Sequence, residues 1–231
     1  MEQLIQSIKH RYKGDEVFSD GPEPGEFSYT DDGTRVEIYA RANLPTRHGQ
    51  FTIFAFKNSK ENLDHVAVVK GDIWNGEPVP MRLHSECLTG DVFGSLKCDC
   101  RDQLEKALDG IGDVERGFIL YMRQEGRGIG LANKIRAYSL QDQGLDTVEA
   151  NLHLGFDDDM REYSIAAEMI KLLTSSPLLI MTNNPNKETG LQAHGVKVAG
   201  RKAIQCTPNK HNLHYLKTKR TKSGHVLTLL P

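Results

Sequence analysis

Two things are scarce in this 231-residue chain: cysteine, of which there are four, and net charge, with 29 Lys and Arg set against 31 Asp and Glu. Disulfides are not needed to hold such a chain, because one large α/β domain of this length buries a full core on its own. Balanced charge leaves no strong field for nucleic acid or a membrane surface, so any anionic ligand has to be held by local cations. No apolar run is long enough to span a bilayer, and no signal-like apolar stretch opens the chain. With an odd cysteine, Cys206, left over, these absences point to a reducing, cytoplasmic setting in which thiols are free to bind metal.

What is present divides into an arm and a domain. Residues 13–34 are dense in Gly, Pro, Asp and Glu and keep no period, so 1–35 reads as an irregular N-terminal extension and 36–231 as one domain. A short amphipathic helix is expected within the arm, around Gln3 to Arg11. From Arg35 onward, VEIYARA, FTIFAFK, HVAVVKG and VPMRLHSE are apolar runs of strand length between turn signals. Then the period changes. Leu104, Ala107, Leu108 and Ile111 mark one helical face, GFILYM follows as a strand, and GLANKIRAYSLQDQG and REYSIAAEMIKLLTSS have helical period, stopped by Gly144 and Pro177. LLIMT is a buried-strand candidate, followed by a helix near Asn186 to His194 and a strand in VKVAGRKAIQC. The expected fold is a single α/β domain, a mixed sheet with helical cover. The basic run KTKRTK near the C-terminus reads as a solvated surface.

Cys87, Cys98 and Cys100 form a C-x10-C-x-C set, the first at a strand end and the others in a loop before a helix. Three thiolates are one ligand short of a closed zinc site, and the open position is where water can bind and be made acidic. A structural site closed by His84, or three buried unliganded thiols, are the bland alternatives. RQEGRGIG (123–130) follows a strand and opens a helix, where glycines let the backbone approach a phosphate and Arg123 and Arg127 add charge, although a plain Gly-rich turn has the same letters. TNNPNK (182–187) offers Thr182, Asn183 and Asn184 as helix caps or ligand contacts, with Lys187 one turn inside. FDDDMREY (156–163) places Asp159 and Arg161 at the start of a helix, where an Asp cap and a surface Arg would be the ordinary reading.

RLHSECLTGDVFGSLKCDCRDQL, the long stretch from RQEGRGIG to FDDDMREY, and TNNPNK together resemble the GTP cyclohydrolase II family, in the family's order and from about Ala40 to the C-terminus. The resemblance implies a cytoplasmic homodimer, a hydrolase acting on a cyclic amidine C–N bond, that opens the guanine ring of GTP in riboflavin synthesis. It implies one Zn2+ per subunit on Cys87, Cys98 and Cys100, and the triphosphate calls for Mg2+ as well. By the same resemblance GTP contacts fall on Arg82, Leu83, His84, Ser85, Glu86, Gln103, Glu125, Gly126, Arg127, Thr147, Thr182 and Lys187. Asp159 matches the proton acceptor, Arg161 the nucleophile, and Tyr138 a tyrosine near zinc and base; in that setting His84 is better read as a substrate contact. Guanidinium is a poor nucleophile, so a phosphate clamp is an alternative role for Arg161. Glu86 or Glu125 would accept from the guanine N1 and N2 protons. A partial cyclohydrolase and a non-enzymatic zinc and nucleotide module are the competing classes.

Overall fold

The computed structural model describes residues 21–230, so the helix expected around Gln3 to Arg11 lies outside the described residues. Strands β1 (Phe27–Tyr29), β2 (Arg35–Thr46), β3 (Gly49–Asn58) and β4 (His65–Lys70) run antiparallel in sequence order. A two-residue turn, Arg47-His48, joins β2 to β3 with Thr46 opposite Gly49, the shortest link that antiparallel strands accept. A bulge between Ile38 and Ala40 gives β2 one extra residue and leaves Tyr39 exposed. β1 falls inside the segment read as an irregular extension: three of its residues pair with β2, Phe27 opposite Glu37.

The second half is parallel. β5 (Val79–Ser85), α1 (Cys100–Gly112) and β6 (Gly117–Met122) form a β-α-β unit, because two parallel neighbours need a crossover and α1 provides it. Next come α2 (Gly130–Gln141), α3 (Thr147–His153), α4 (Ser164–Leu173), β7 (Leu178–Met181), α5 (Pro185–Ala193), β8 (Val198–Lys202) and α6 (Leu213–Lys222). The strands join one eight-stranded mixed sheet in the order β1-β2-β3-β4-β6-β5-β7-β8. β6 is the seam, antiparallel to β4 and parallel to β5.

Helices cover both faces of the sheet. Phe54, Phe56, Ala67, Met81, Leu83, Phe118 and Leu120 pack on one face with Ile165, Met169, Ile170 and Leu173 of α4. On the other, Phe51, Ile119 and Met181 meet Ala107 and Ile111 of α1, with Leu104 and Leu108 partly buried beside them, which is the helical face expected from spacing. The period-2 alternation of β5 therefore sends Met81 and Leu83 into the first core and turns Arg82 and His84 to the α1 side.

Three local departures from expectation matter for the site. α4 begins at Ser164, so Arg161 stands three residues before the helix. α3 was not expected; its start is an Asp146-x-x-Glu149 capping box, in which Asp146 accepts from Val148 and Glu149 amides and Glu149 accepts from the Asp146 amide. α6 occupies the stretch read as a solvated basic surface. Truncating a fully buried ring at the centre of the first core, Phe56→Ala, is expected to lower unfolding stability by about 3–5 kcal/mol, read as a fall in urea midpoint at unchanged slope.

Candidate active site

β5 ends at Ser85, and the chain then turns through Cys87 into a single π-helical turn, Leu88–Val92, before Cys98 and Cys100 enter the start of α1. The sulfurs of Cys87, Cys98 and Cys100 lie within 4.8 Å of one another, and Cys87 Sγ stands 3.7 Å from Cys98 Sγ. Two thiolates on a tetrahedral zinc at Zn–S ~2.3 Å would be about 3.8 Å apart, so the trio fits such an ion. Gly90 is what lets them converge: a Cβ there would sit 2.8 Å from Cys98 Sγ and 3.0 Å from Cys87 Sγ. His84 is not in the cluster. Its ring stacks on Tyr121 at 5.3 Å, and its Nε2 lies 3.0 Å from Asp91 Oδ2.

Asp91 organises this turn. Its buried carboxylate accepts from the Cys87 amide (3.0 Å) and the Tyr121 hydroxyl (2.8 Å) as well as facing His84. Burial lowers the pKa of His84 despite Asp91, which leaves a neutral ring. A neutral ring that gives Nε2–H to Asp91 keeps Nδ1 as an acceptor, and Nδ1 is buried with no partner among the described residues. On the other side of Cys87, Lys134 of α2 places Nζ 3.1 Å from Cys87 Sγ and 2.7 Å from Glu125 Oε1. Hydrogen bonds from Cys100 and Cys98, and then the Lys134 charge, hold the Cys87 thiol far below its usual pKa against the opposing effect of burial.

The Gly-rich turn, Glu125–Gly128, is bent by two left-handed residues, Gly126 (φ 64°) and Arg127 (φ 62°). For arginine this conformation is strained, by about 1–2 kcal/mol. It is held by the Met160 amide bonding to the Arg127 carbonyl (3.1 Å) and by the Arg127 guanidinium on Asp158. Glu125 is nearly sealed and accepts from the Leu88 amide (2.7 Å), the Gly126 amide (2.8 Å) and Lys134. Tyr138 sits one turn beyond Lys134, 3.3 Å from the Thr89 hydroxyl; burial raises its pKa, only partly offset by Lys134, so the phenol keeps its proton.

The remaining expected residues gather at the C-terminal ends of the parallel strands, where α/β sheets bind ligands. Arg161 gives Nε to Asp159 Oδ1 (2.7 Å) and Nη2 to Oδ2, and its Nη1 is 3.4 Å from Ser85 Oγ. Burial opposes the charge of Arg161, but Asp159 overrides it and tightens the guanidinium's hold on its proton. Lys187, inside α5, has its ammonium on the Leu83 carbonyl (2.7 Å), with no carboxylate bonded to it among the described residues. Burial, then the charges of Arg82, Arg161 and Lys219, push its pKa well below the usual lysine value. Arg82 bonds the Met181 carbonyl (2.8 Å) and Gln103 Oε1 (2.5 Å), leaving its buried Nε without a partner among the described residues. Gln103 passes the chain on through Nε2 to Asp99 (2.5 Å).

The cysteines, the Gly-rich turn and the buried cations line one cleft. Of the expected residues, Thr147 lines it at the start of α3 and Thr182 at the end of β7, whose hydroxyl also accepts from the Asn184 amide (3.0 Å). Two do not line it. Leu83 is buried in the core and offers only its carbonyl, and Asp159 acts from behind Arg161. The capping reading of TNNPNK holds alongside the cleft, since Asn184 caps α5 through the Asn186 amide (3.0 Å).

The GTP cyclohydrolase II profile matches residues 37–203, more than half of the chain. The chain belongs to this family. It is 53% identical over 191 residues to GTP cyclohydrolase-2 of Picrophilus torridus, covering 83% of this chain and 99% of that protein. The same identity relates it to GTP cyclohydrolase-2 of Aeromonas hydrophila, over 83% and 97%. It is 51% identical to the riboflavin biosynthesis protein RibBA of Endomicrobium trichonymphae over 83% of this chain but 48% of that protein, so it spans about half of that relative.

Asp91, Lys134, Tyr215, Lys219 and His225 organise the loops or line the cleft without standing out in the sequence, whereas Asn183, expected as a cap or ligand contact, does line it. Asp91 and Lys134 act through contacts made across the fold, which spacing does not reveal. Lys219 lies in the run read as solvated surface and is instead enclosed, with 12% of its side chain exposed. The convergence at Gly90 gives a direct test. Gly90→Ala is expected to weaken zinc binding about 10-fold or more, measured by competition with a chromophoric chelator; unchanged affinity would mean the sulfurs do not depend on that gap.

Proposed function

We propose that this chain is a zinc-dependent GTP cyclohydrolase that opens the imidazole ring of GTP with release of formate and pyrophosphate. The product is 2,5-diamino-6-hydroxy-4-(5-phosphoribosylamino)pyrimidine, at the first committed step of riboflavin biosynthesis. The observation that carries the reading is that a thiolate trio and a cluster of buried cations share one cleft, so a molecule with a base at one end and phosphates at the other can be held at both. One zinc per subunit on Cys87, Cys98 and Cys100 supplies Lewis acidity and an activated water. The working form is a cytoplasmic homodimer, as the family resemblance implies.

The chain's own residues do the rest. The protonated phenol of Tyr138 donates toward negative charge developing on the opening ring, with Lys134 adding a fixed positive charge nearby. The unpartnered His84 Nδ1 accepts from an N–H of the substrate. Glu125 is occupied by two amides and Lys134, whereas among the described residues the Glu86 carboxylate meets only Arg123, at 3.5 Å, so Glu86 is the carboxylate with capacity to read the guanine N1 and N2 protons. Arg82, Lys187 and Arg127 hold the triphosphate. Mg2+ would be carried on phosphate oxygens and water, since both carboxylates lining the cleft already face cations.

Arg161 stands at the α-phosphate. A bidentate Asp159 makes its guanidinium harder to deprotonate, which favours a clamp that neutralises charge as pyrophosphate leaves, with Asp159 orienting it. The alternative, a nucleophilic Arg161 with Asp159 as proton acceptor, requires a nucleotide bonded to that side chain. Quenching wild-type turnover and mapping peptides by mass spectrometry is expected to find no nucleotide on Arg161, while Arg161→Lys loses about 100-fold or more in kcat; an adduct at Arg161 would sink the clamp.

The overall reaction is checked by incubating the protein with GTP and Zn2+ and measuring both small products. Equal amounts of formate and pyrophosphate are expected. One product alone would reduce the chain to a partial cyclohydrolase, and neither would leave a binding module.

A further inference from the structure

We infer that α6 is part of the triphosphate site and that Lys219 is a phosphate-binding residue; this rests on the reading of GTP as substrate. The family profile ends at residue 203, before α6 begins, and the sequence of α6 alone looks like a solvated basic helix. Its geometry is different. Asn212, Tyr215, Leu216 and Lys219 follow one another at helical spacing on the inward side, while Lys217 and Arg220 are exposed.

The segment is fastened to each functional loop in turn. Asn212 Nδ2 reaches the Cys98 carbonyl (3.4 Å), and Lys219 Nζ reaches Asp99 Oδ1 (3.4 Å). Lys222 pairs with Asp146 and Glu149 at the cap of α3. Ser223 Oγ donates to Asp158 (2.7 Å) and accepts from Arg127 (3.2 Å), and the Val226 amide bonds the Asn183 carbonyl (2.9 Å). Such a set of ties fixes where Lys219 stands relative to the cysteines, the Gly-rich turn and the end of β7.

Charge says why a cation is there. Arg82, Arg161, Lys187 and Lys219 line the cleft, and the carboxylates beside them are Asp159, on Arg161, and Asp99, at a loose 3.4 Å from Lys219. A firm ammonium–carboxylate bond is nearer 2.7–2.9 Å, and of the three N–H groups of Lys219 only those toward Asp99 and Tyr215 are engaged among the described residues, so a donor remains for another acceptor. Among the described residues Arg82 and Lys187 have only carbonyl and amide oxygens as partners. Buried positive charge in excess of negative charge is costly unless an anion enters, and an anion with several charges on a short chain of phosphates matches the excess. The mutual repulsion is visible in Lys187, whose depressed pKa owes part of its shift to Lys219 after burial and the two arginines.

A purely structural Lys219, present only to neutralise Asp99, would not change affinity for free polyphosphate beyond any loss of folding. Calorimetric titration with inorganic tripolyphosphate and, separately, with GTP is therefore the test, on the full chain with its zinc content verified. Lys219→Met is expected to weaken tripolyphosphate binding about 10-fold or more, with Lys217→Met, on the exposed side of α6, close to wild type. A folded Lys219→Met protein that binds tripolyphosphate as well as wild type overturns the inference. In wild type, tripolyphosphate is also expected to slow labelling of Lys219 by a small amine-reactive reagent and leave exposed Lys217 unchanged; labelling of Lys219 at an unaltered rate overturns the inference even if the methionine variant does not fold. A wild type that binds neither GTP nor tripolyphosphate overturns the GTP reading itself.

Discussion

Uncompensated positive charge under cover is the constraint around which this molecule is arranged. Lysine and arginine are seldom enclosed without carboxylates, yet Arg82 and Lys187 are 5% exposed and bonded to neutral oxygens. The sheet makes this tolerable by placing Arg82 on β5 and Lys187 on the helix after β7, where the backbone carbonyls of Met181 and Leu83 accept hydrogen bonds from them. The parallel half of the sheet therefore does two jobs, supplying acceptors to the cations and leaving its strand ends open to the cleft.

The sulfur end and the cation end of the cleft are mechanically continuous. Asp99 sits between Cys98 and Cys100, receives Gln103, and through Gln103 steadies Arg82. Cys87 is gripped twice, by Asp91 at its amide and by Lys134 at its sulfur, and Lys134 is in turn fixed by Glu125 of the Gly-rich turn. A displacement of either loop would be felt at both ends, because few of these side chains have a single partner.

Much of this was readable from the chain. α1 announced itself because Leu104, Ala107, Leu108 and Ile111 face a real core, and the cysteines, the Gly-rich turn and TNNPNK each lie at a strand-to-helix junction that apolar runs delimit. α6 was unreadable for the opposite reason. Its inward face carries Tyr215 and Lys219, which line the cleft, beside buried Asn212 and Leu216, so the apolar period that betrays a helix is missing. α3 is short, and its Asp146-x-x-Glu149 signature is a local cue that hydrophobic periodicity does not weigh. The start of α4 at Ser164 could not be separated from the helical letters around Arg161, since the pull of Asp159 on that side chain is a feature of the folded loop.

Lys187 carries a consequence for how anion and proton travel together. Burial and neighbouring charges loosen the ammonium's hold on its proton, and a phosphate beside it would tighten that hold again. Ligand capture is then coupled to uptake of hydrogen ions from the medium. Affinity falls as pH rises from the depressed value toward the restored one, and part of the heat of association belongs to whichever buffer gives up the proton.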